Sequence, residues 1–320
     1  MKTKVTEMLG IKYPIIAGNM MNISYPEFAA TCSNAGGLGI LASVMYRKPE
    51  HLREALKELK SLTDKPVAVN LNLFPMLRPI RQIDHVKVMM EEGIQIIETS
   101  GHQAPDEFIP LFKEYGVTWI HKCAGVRYAK KAASLGADIV EVVGWENGGA
   151  TGRYDIGTLV LTSATVDALD IPVIGGGGIA DGRGVVAVLA CGAEAALMGT
   201  RLMATQECPL HENIKQELLK ASIYDTTLVM KSLNATHRVW NNKGAQRVLE
   251  LEEEKADQSE IFSAAAGAKS KQMYEEGDLD VGIMSCGQGV GLINNLPTVQ
   301  ELFDQIIREA EEIISKLSSY

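Results

Sequence analysis

Eight short apolar runs recur along the first 200 residues, and helical stretches separate them. That alternation restricts the possible folds more than any other feature. The runs are PIIAG (14–18), GLGILAS (37–43), PVAVNLNL (66–73), IQIIETS (94–100), VTWIHKC (117–123), ADIVEVVG (137–144), PVIGGGG (172–178) and AALMGT (195–200). Between them lie segments such as YPEFAATCSNA, PEHLREALKELKSL, IPLFKEY, VRYAKKAASLG and GVVAVLACG, several with apolar spacing near the helical period of ~3.6. Strand and helix alternating eight times predict an α/β fold, the (β/α)8 TIM barrel. The alternative is an open doubly wound sheet, whose glycine-rich turn follows the first strand. Here the richest glycine cluster, Gly175 to Gly178, follows the seventh run. The barrel is expected.

After residue 204 the pattern changes. Residues 205–280 read as helical and charged, with no strand alternation, and predict a small helical domain inserted after strand 8 and lying over the barrel mouth. The barrel itself is assigned residues 1–204 and 281–320, with VGIMSCGQGVGLI returning to it and an amphipathic helix at 298–317 closing the chain. The run ELEEEKADQSE reads as a solvated helix face.

Composition narrows the function. A net charge of −9, with no Lys/Arg run, argues against a nucleic-acid or anionic-membrane surface. The N-terminal stretch has no apolar signal region, and no apolar run reaches ~18 residues, so a cytoplasmic protein is expected. The five cysteines (32, 123, 191, 208, 286) are scattered and never form a C-x-x-C pair, which predicts reduced thiols and no metal site. A small-molecule substrate is expected, and homodimerisation stays open.

In a TIM barrel the loops after strands 7 and 8 often bind phosphate through backbone N–H groups. Gly176, Gly177 and Gly178 fall in the first of these loops, and Gly199 and Thr200 in the second. Each loop alone reads equally well as a tight turn; the two in register point to phosphate. Polar residues at other strand ends face the mouth in this reading: Asn70, Lys122 and the stretch Glu98 to His102. His121 and Lys122 are adjacent on a strand, so at most one of them faces the interior. Cys123 reads as a thiol buried beside the ligand rather than a nucleophile, since no flexible loop surrounds it.

The stretches YPIIAGNM, SNAGGLGIL, LTDKPVAVNLNL, HKCAGVRYAKKAASLGAD, GGGGIADGRG, MGTRLMATQECPLH and GDLDVGIMSCGQGVGLI resemble, in order and spacing, the nitronate monooxygenase (2-nitropropane dioxygenase-like) family. That family includes flavin-dependent enoyl-thioester reductases and NAD(P)H:quinone reductases. The resemblance implies FMN as cofactor and NAD(P)H as electron donor. It places Asn19 and Met20 by the flavin, Asn70 and Lys122 on its ring or ribityl chain, and Gly176, Gly178, Gly199 and Thr200 on its phosphate. Gln288 is implied to lie near the flavin.

The chain also departs from the family pattern. Relatives carry a proton-transferring histidine where this chain has Ala150, and an acidic residue where it has Val143. His102, His121 and Tyr154, with Asp155 beside the last, are the candidates for a relocated proton donor, although packing or capping roles suit each. Three readings follow. The first is an FMN oxidoreductase passing electrons from NAD(P)H to a quinone-like or conjugated acceptor. The second is a nitronate monooxygenase or enoyl-thioester reductase with a relocated proton donor. The third is a non-flavin phosphate-binding barrel or a silent flavin binder.

Overall fold

A computed structural model describes residues 1–74, 80–101 and 104–320. The strands, in chain order, are β1 (Ile15–Ala17), β2 (Gly39–Ala42), β3 (Val67–Asn72), β4 (Ile96–Ser100), β5 (Thr118–Cys123), β6 (Ile139–Val143), β7 (Gly149–Ala150), β8 (Val173–Gly176), β9 (Ala195–Met198), β10 (Thr226–Val229) and β11 (His237–Trp240). Eight of them form one parallel sheet in the order β1-β9-β8-β6-β5-β4-β3-β2. A parallel bridge between Ile16 and Leu38 joins β1 to the start of β2 and closes the ring, with Leu38 N–H donating to the Ile15 carbonyl at 3.0 Å. This is the (β/α)8 barrel, and each expected apolar run contains one of its strands.

Alternation along each strand sends one set of side chains into the bore. Ile40, Ala68, Ile96, Ile120, Ile139 and Ile174 fill its lower part, and Val5 and Leu9 of the helix Lys4–Leu9 plug the N-terminal end. A capping box starts that helix: Thr6 N–H donates to Thr3 Oγ1 and Thr3 N–H to Thr6 Oγ1. The other end of the bore is left for the site. Outside the ring the helices pack in two further apolar clusters, and the C-terminal helix Val299–Leu317 lies against the helix Gly182–Ala190.

The inserted segment is not purely helical. Besides the helices Glu212–Leu218, Lys243–Glu253, Gln258–Ala264 and Gly267–Glu276, it contains the antiparallel hairpin β10–β11. β11 also pairs with β7, so the loop after β6 is knitted into the hairpin as a third strand. The unit has its own small apolar core, built on Val229, Val239, Val248 and Ile261. Among the described residues no helix is long and apolar enough to cross a membrane.

Candidate active site

A cavity of about 350 Å³ opens where the strands end, within the size range of sites for small organic ligands and cofactors. Asn19, Met20, Asn72, Ser100 and Lys122 come to it from the first half of the barrel, and Gly177, Gly178, Gly199 and Thr200 from the second. The inserted unit adds Met230, His237 and Tyr274, and the returning chain adds Ser285, Gly287 and Gly289.

The glycine-rich stretch has more than one reason for lacking side chains. A Cβ on Gly175 would come within 3.0 Å of Val188, one on Gly176 within 2.8 Å of Leu197, and one on Gly177 within 2.5 Å of Thr158 Oγ1. One on Gly182 would come within 2.5 Å of Glu309 in the C-terminal helix. At these four positions the close neighbour is the protein itself. Gly176, expected at the phosphate, is buried against β9 and does not line the cavity. Gly178 does line it, in the left-handed region at φ +71°. Gly199 differs from all of these: a Cβ there would meet only Met20 Sδ, at 3.9 Å, and would project into the cavity.

The backbone N–H groups of Gly178, Ile179, Gly199 and Thr200 take no partner among the described residues. Thr200 and its neighbours begin the helix Thr200–Met203, whose first amides lack intrahelical acceptors. Asn19 Oδ1, also on the cavity wall, is buried with no partner among the described residues. Such groups call for a ligand rich in acceptors at the glycine end and bearing a donor near Asn19. The Thr200 hydroxyl accepts a 2.9 Å bond from Gly287 N–H, which ties the returning chain to the loop after β9.

Below the cavity floor the bore turns polar. Asn70, Glu98, Lys122 and Glu141 project inward from four consecutive strands, in register pairs Asn70↔Glu98 and Lys122↔Glu141. Lys122 Nζ lies 2.6 Å from Glu98 Oε1, and Asn70 Nδ2 donates to Glu98 Oε2 and to Ser100 Oγ at 2.5 and 3.0 Å. Burial disfavours the Lys122 ammonium, but the neighbouring carboxyls outweigh that and hold its pKa above the ordinary value. Lys122 reaches the cavity, while Asn70 stays one layer beneath it.

Glu141 is fully buried, and neither of its carboxyl oxygens meets an N–H donor. Burial, followed by the charge of Glu98, pushes its pKa well above the usual range, against the pull of Lys122. With the buried Glu98 carboxyl nearby, ionising both groups is disfavoured, and the proton stays on Glu141. The folded chain therefore keeps on Glu141 a proton that the unfolded chain releases above the ordinary glutamate value. Stability contributed by this site is present at low pH and declines as pH rises toward the folded value. Glu141→Gln, whose amide can donate to Glu98, is expected to match the wild type in urea unfolding near pH 4. It is expected to be increasingly the more stable of the two from pH 6 to pH 8. A gain independent of pH would mean that Glu141 carries no proton.

The remaining candidates separate clearly. His121 points outward, where its Nδ1 lies 2.8 Å from Thr99 Oγ1 and Trp119 Nε1 donates to the same hydroxyl. Burial lowers its pKa to about 4, so the ring is a neutral packing element away from the cavity. Tyr154 is 75% exposed and lies off the cavity wall. His102 lies outside the described residues. Gln288 does not line the cavity, though Gly287 and Gly289 beside it do; its N–H donates to the Glu146 carbonyl. The Glu146 carboxylate in turn accepts from Thr158 N–H at 2.9 Å and so caps the helix Thr158–Val166. Cys123 lines the cavity with its thiol pushed up to about 12 by burial, which makes it a poor nucleophile.

His237, Met230, Tyr274 and Ser285 were not singled out from the sequence, because no local motif marks residues that a hairpin, a helix of the inserted unit and the returning chain bring to the cavity from a distance. For Met230 and His237 the nearest sequence signal is the pair of short strand-like stretches TTLV and HRVW.

Known proteins match this arrangement over its whole length. The family model described as nitronate monooxygenase matches residues 2–309. A (3aS,4S,5R,7aS)-5-hydroxy-7a-methyl-1-oxo-octahydro-1H-indene-4-carboxyl-CoA dehydrogenase of Rhodococcus jostii is 33% identical, covering 100% of this chain and 98% of its own. A probable nitronate monooxygenase of Staphylococcus saprophyticus is 27% identical over 99% of each chain. The solved structure of FabK from Thermotoga maritima superposes with a TM-score of 0.92 at 36% identity, covering 100% of this chain and 99% of that one. The chain belongs to the nitronate monooxygenase family, and it is an oxidoreductase.

Proposed function

We propose that the chain binds FMN and uses NAD(P)H to reduce a conjugated carbonyl acceptor. The observation that carries this reading is the set of amides at Gly178, Ile179, Gly199 and Thr200 that take no partner among the described residues, a cradle suited to a terminal phosphate, with no arginine among the described lining residues. Asn19 Oδ1 offers an acceptor to a ring N–H or a ribityl hydroxyl, and Met20 supplies an apolar wall beside it. When bound, the flavin supplies two-electron transfer between a nicotinamide and the acceptor. The protein's own part is to hold the phosphate on backbone amides, keep Lys122 at the cavity floor, and roof the cavity with the inserted unit.

Among acceptors, the names of the relatives favour an acyl thioester over a quinone, since the 33% identical dehydrogenase is named for a carboxyl-CoA compound. A quinone stays within the same reading, because its reduced oxygens take protons directly from water.

Purified protein is expected to be yellow, to release FMN rather than FAD on denaturation, and to bleach on anaerobic mixing with NADH or NADPH. Re-oxidation by an enoyl thioester, a benzoquinone or nitroethane then names the acceptor. Colourless protein that takes up no flavin would overturn the reading in favour of a barrel for another phosphate ligand.

A further inference from the structure

Proton-transfer groups on the cavity wall are few. Among the described residues they are Lys122, bound to Glu98; Cys123, with its thiol pushed up; Tyr274, whose phenol is pushed up by burial; and His237. Only an imidazole ordinarily both gives and accepts a proton between pH 5 and 8. His237 is the one histidine among the described lining residues, and it belongs to the inserted unit rather than to the barrel.

Its position is set by backbone pairing. β11 runs antiparallel to β7, with His237 opposite Ala150, and Ala150 lines the same cavity. Thr151 N–H donates to the Thr236 carbonyl at 3.0 Å beside this pair. The Arg238 guanidinium donates to the Trp145 carbonyl at 3.0 Å, fixing the next residue of the strand to the same loop. The small methyl group of Ala150 leaves the wall opposite the imidazole low.

The tautomer follows from one contact. His237 Nδ1 lies 2.7 Å from the Ala235 carbonyl oxygen. A carbonyl only accepts, so Nδ1 carries a hydrogen in both the neutral and the charged ring. Proton exchange is thereby assigned to Nε2.

We propose that His237 is the catalytic acid of the reaction, delivering the Nε2 proton to the substrate carbon next to the carbonyl. The inference rests on the conjugated-acceptor reading above. In the balanced step, the hydride that originates from reduced nicotinamide adds to the β carbon of the C=C bond, whose π electrons move to the α carbon. The imidazolium N–H bond breaks, the α carbon gains the proton, and the neutral ring is reprotonated from solvent. The double bond thus gains one hydride and one proton.

The test uses the flavin-loaded wild type and the variant His237→Asn, whose side-chain amide can keep a donor toward the Ala235 carbonyl while lacking Nε2. The probes are a trans-2-enoyl-CoA and a benzoquinone. Enoyl reduction is expected to fall ~100-fold or more, the usual contribution of a general acid. The descending limb of its pH profile is expected to disappear. In deuterium oxide the wild type is expected to place deuterium on one face of the α carbon, and the variant on both faces. A variant with retained flavin content and unchanged thermal midpoint that keeps the wild-type rate, pH limb and facial selectivity would overturn the proposal. So would a wild type that reduces the quinone but never the enoyl thioester, although the reductase reading would then stand. A wild type whose flavin neither nicotinamide reduces would instead defeat the functional reading itself.

Discussion

Gly199→Val is expected to yield a folded, colourless protein. The built Cβ at Gly199 meets nothing closer than Met20 Sδ at 3.9 Å, so the substitution forces no movement of the protein. Its two methyl groups enter the space in front of the amides of Gly199 and Thr200, where a phosphate has to approach to hydrogen-bond distance. Those two amides are half of the four-amide cradle, and each bond to a charged oxygen is worth roughly 1.5–3 kcal/mol. Losing two of them, with added steric exclusion, corresponds to at least ~100-fold weaker flavin binding at ~1.4 kcal/mol per tenfold. The flavin-to-protein absorbance ratio after gel filtration measures the effect, and a urea melt of the apoprotein checks the fold. Gly177→Val makes the contrast: its Cβ would lie 2.5 Å from Thr158 Oγ1 on a backbone at φ +115°, and that protein is expected to be unstable whether or not flavin is present. Full flavin occupancy in Gly199→Val would move the phosphate away from the loop after β9.

The contrast between those two glycines shows what was legible in the chain and what was not. A parallel strand buried on both faces reads as a continuous apolar run, so eight strands could be counted before their pairing was known. The glycine cluster signalled close approach but not by what. Leu197, Thr158 and Glu309 crowd three of the glycines from elements well separated in the sequence. The hairpin was hidden because its strands are four residues each and their inner face is shared with helices. The polar layer beneath the cavity was half visible. Glu98 and Lys122 end apolar runs, but Glu141 sits inside one, and only the register β5–β6 sets it beside Lys122. The stretch HRVW hints at a strand but nothing in it marks His237 as a wall residue; its place opposite Ala150 is a pairing that only the three-stranded sheet creates.

The second large effect is expected at Lys122. Its ammonium lies 2.6 Å from a Glu98 carboxylate that has no exposure, with the buried Glu141 opposite it on the next strand. Removing one member of a buried pair typically costs 3–5 kcal/mol, because the surviving charge stays desolvated. Against a total stability of roughly 5–15 kcal/mol for a domain, Lys122→Met should therefore lower the urea midpoint severely near pH 8. Lys122→Met combined with Glu98→Gln removes both charges and is expected to recover most of the loss at pH 8, giving a coupling well above the ~0.5 kcal/mol expected of independent sites. A penalty left unrelieved by the second substitution would show that Lys122 and Glu98 do not act as a pair.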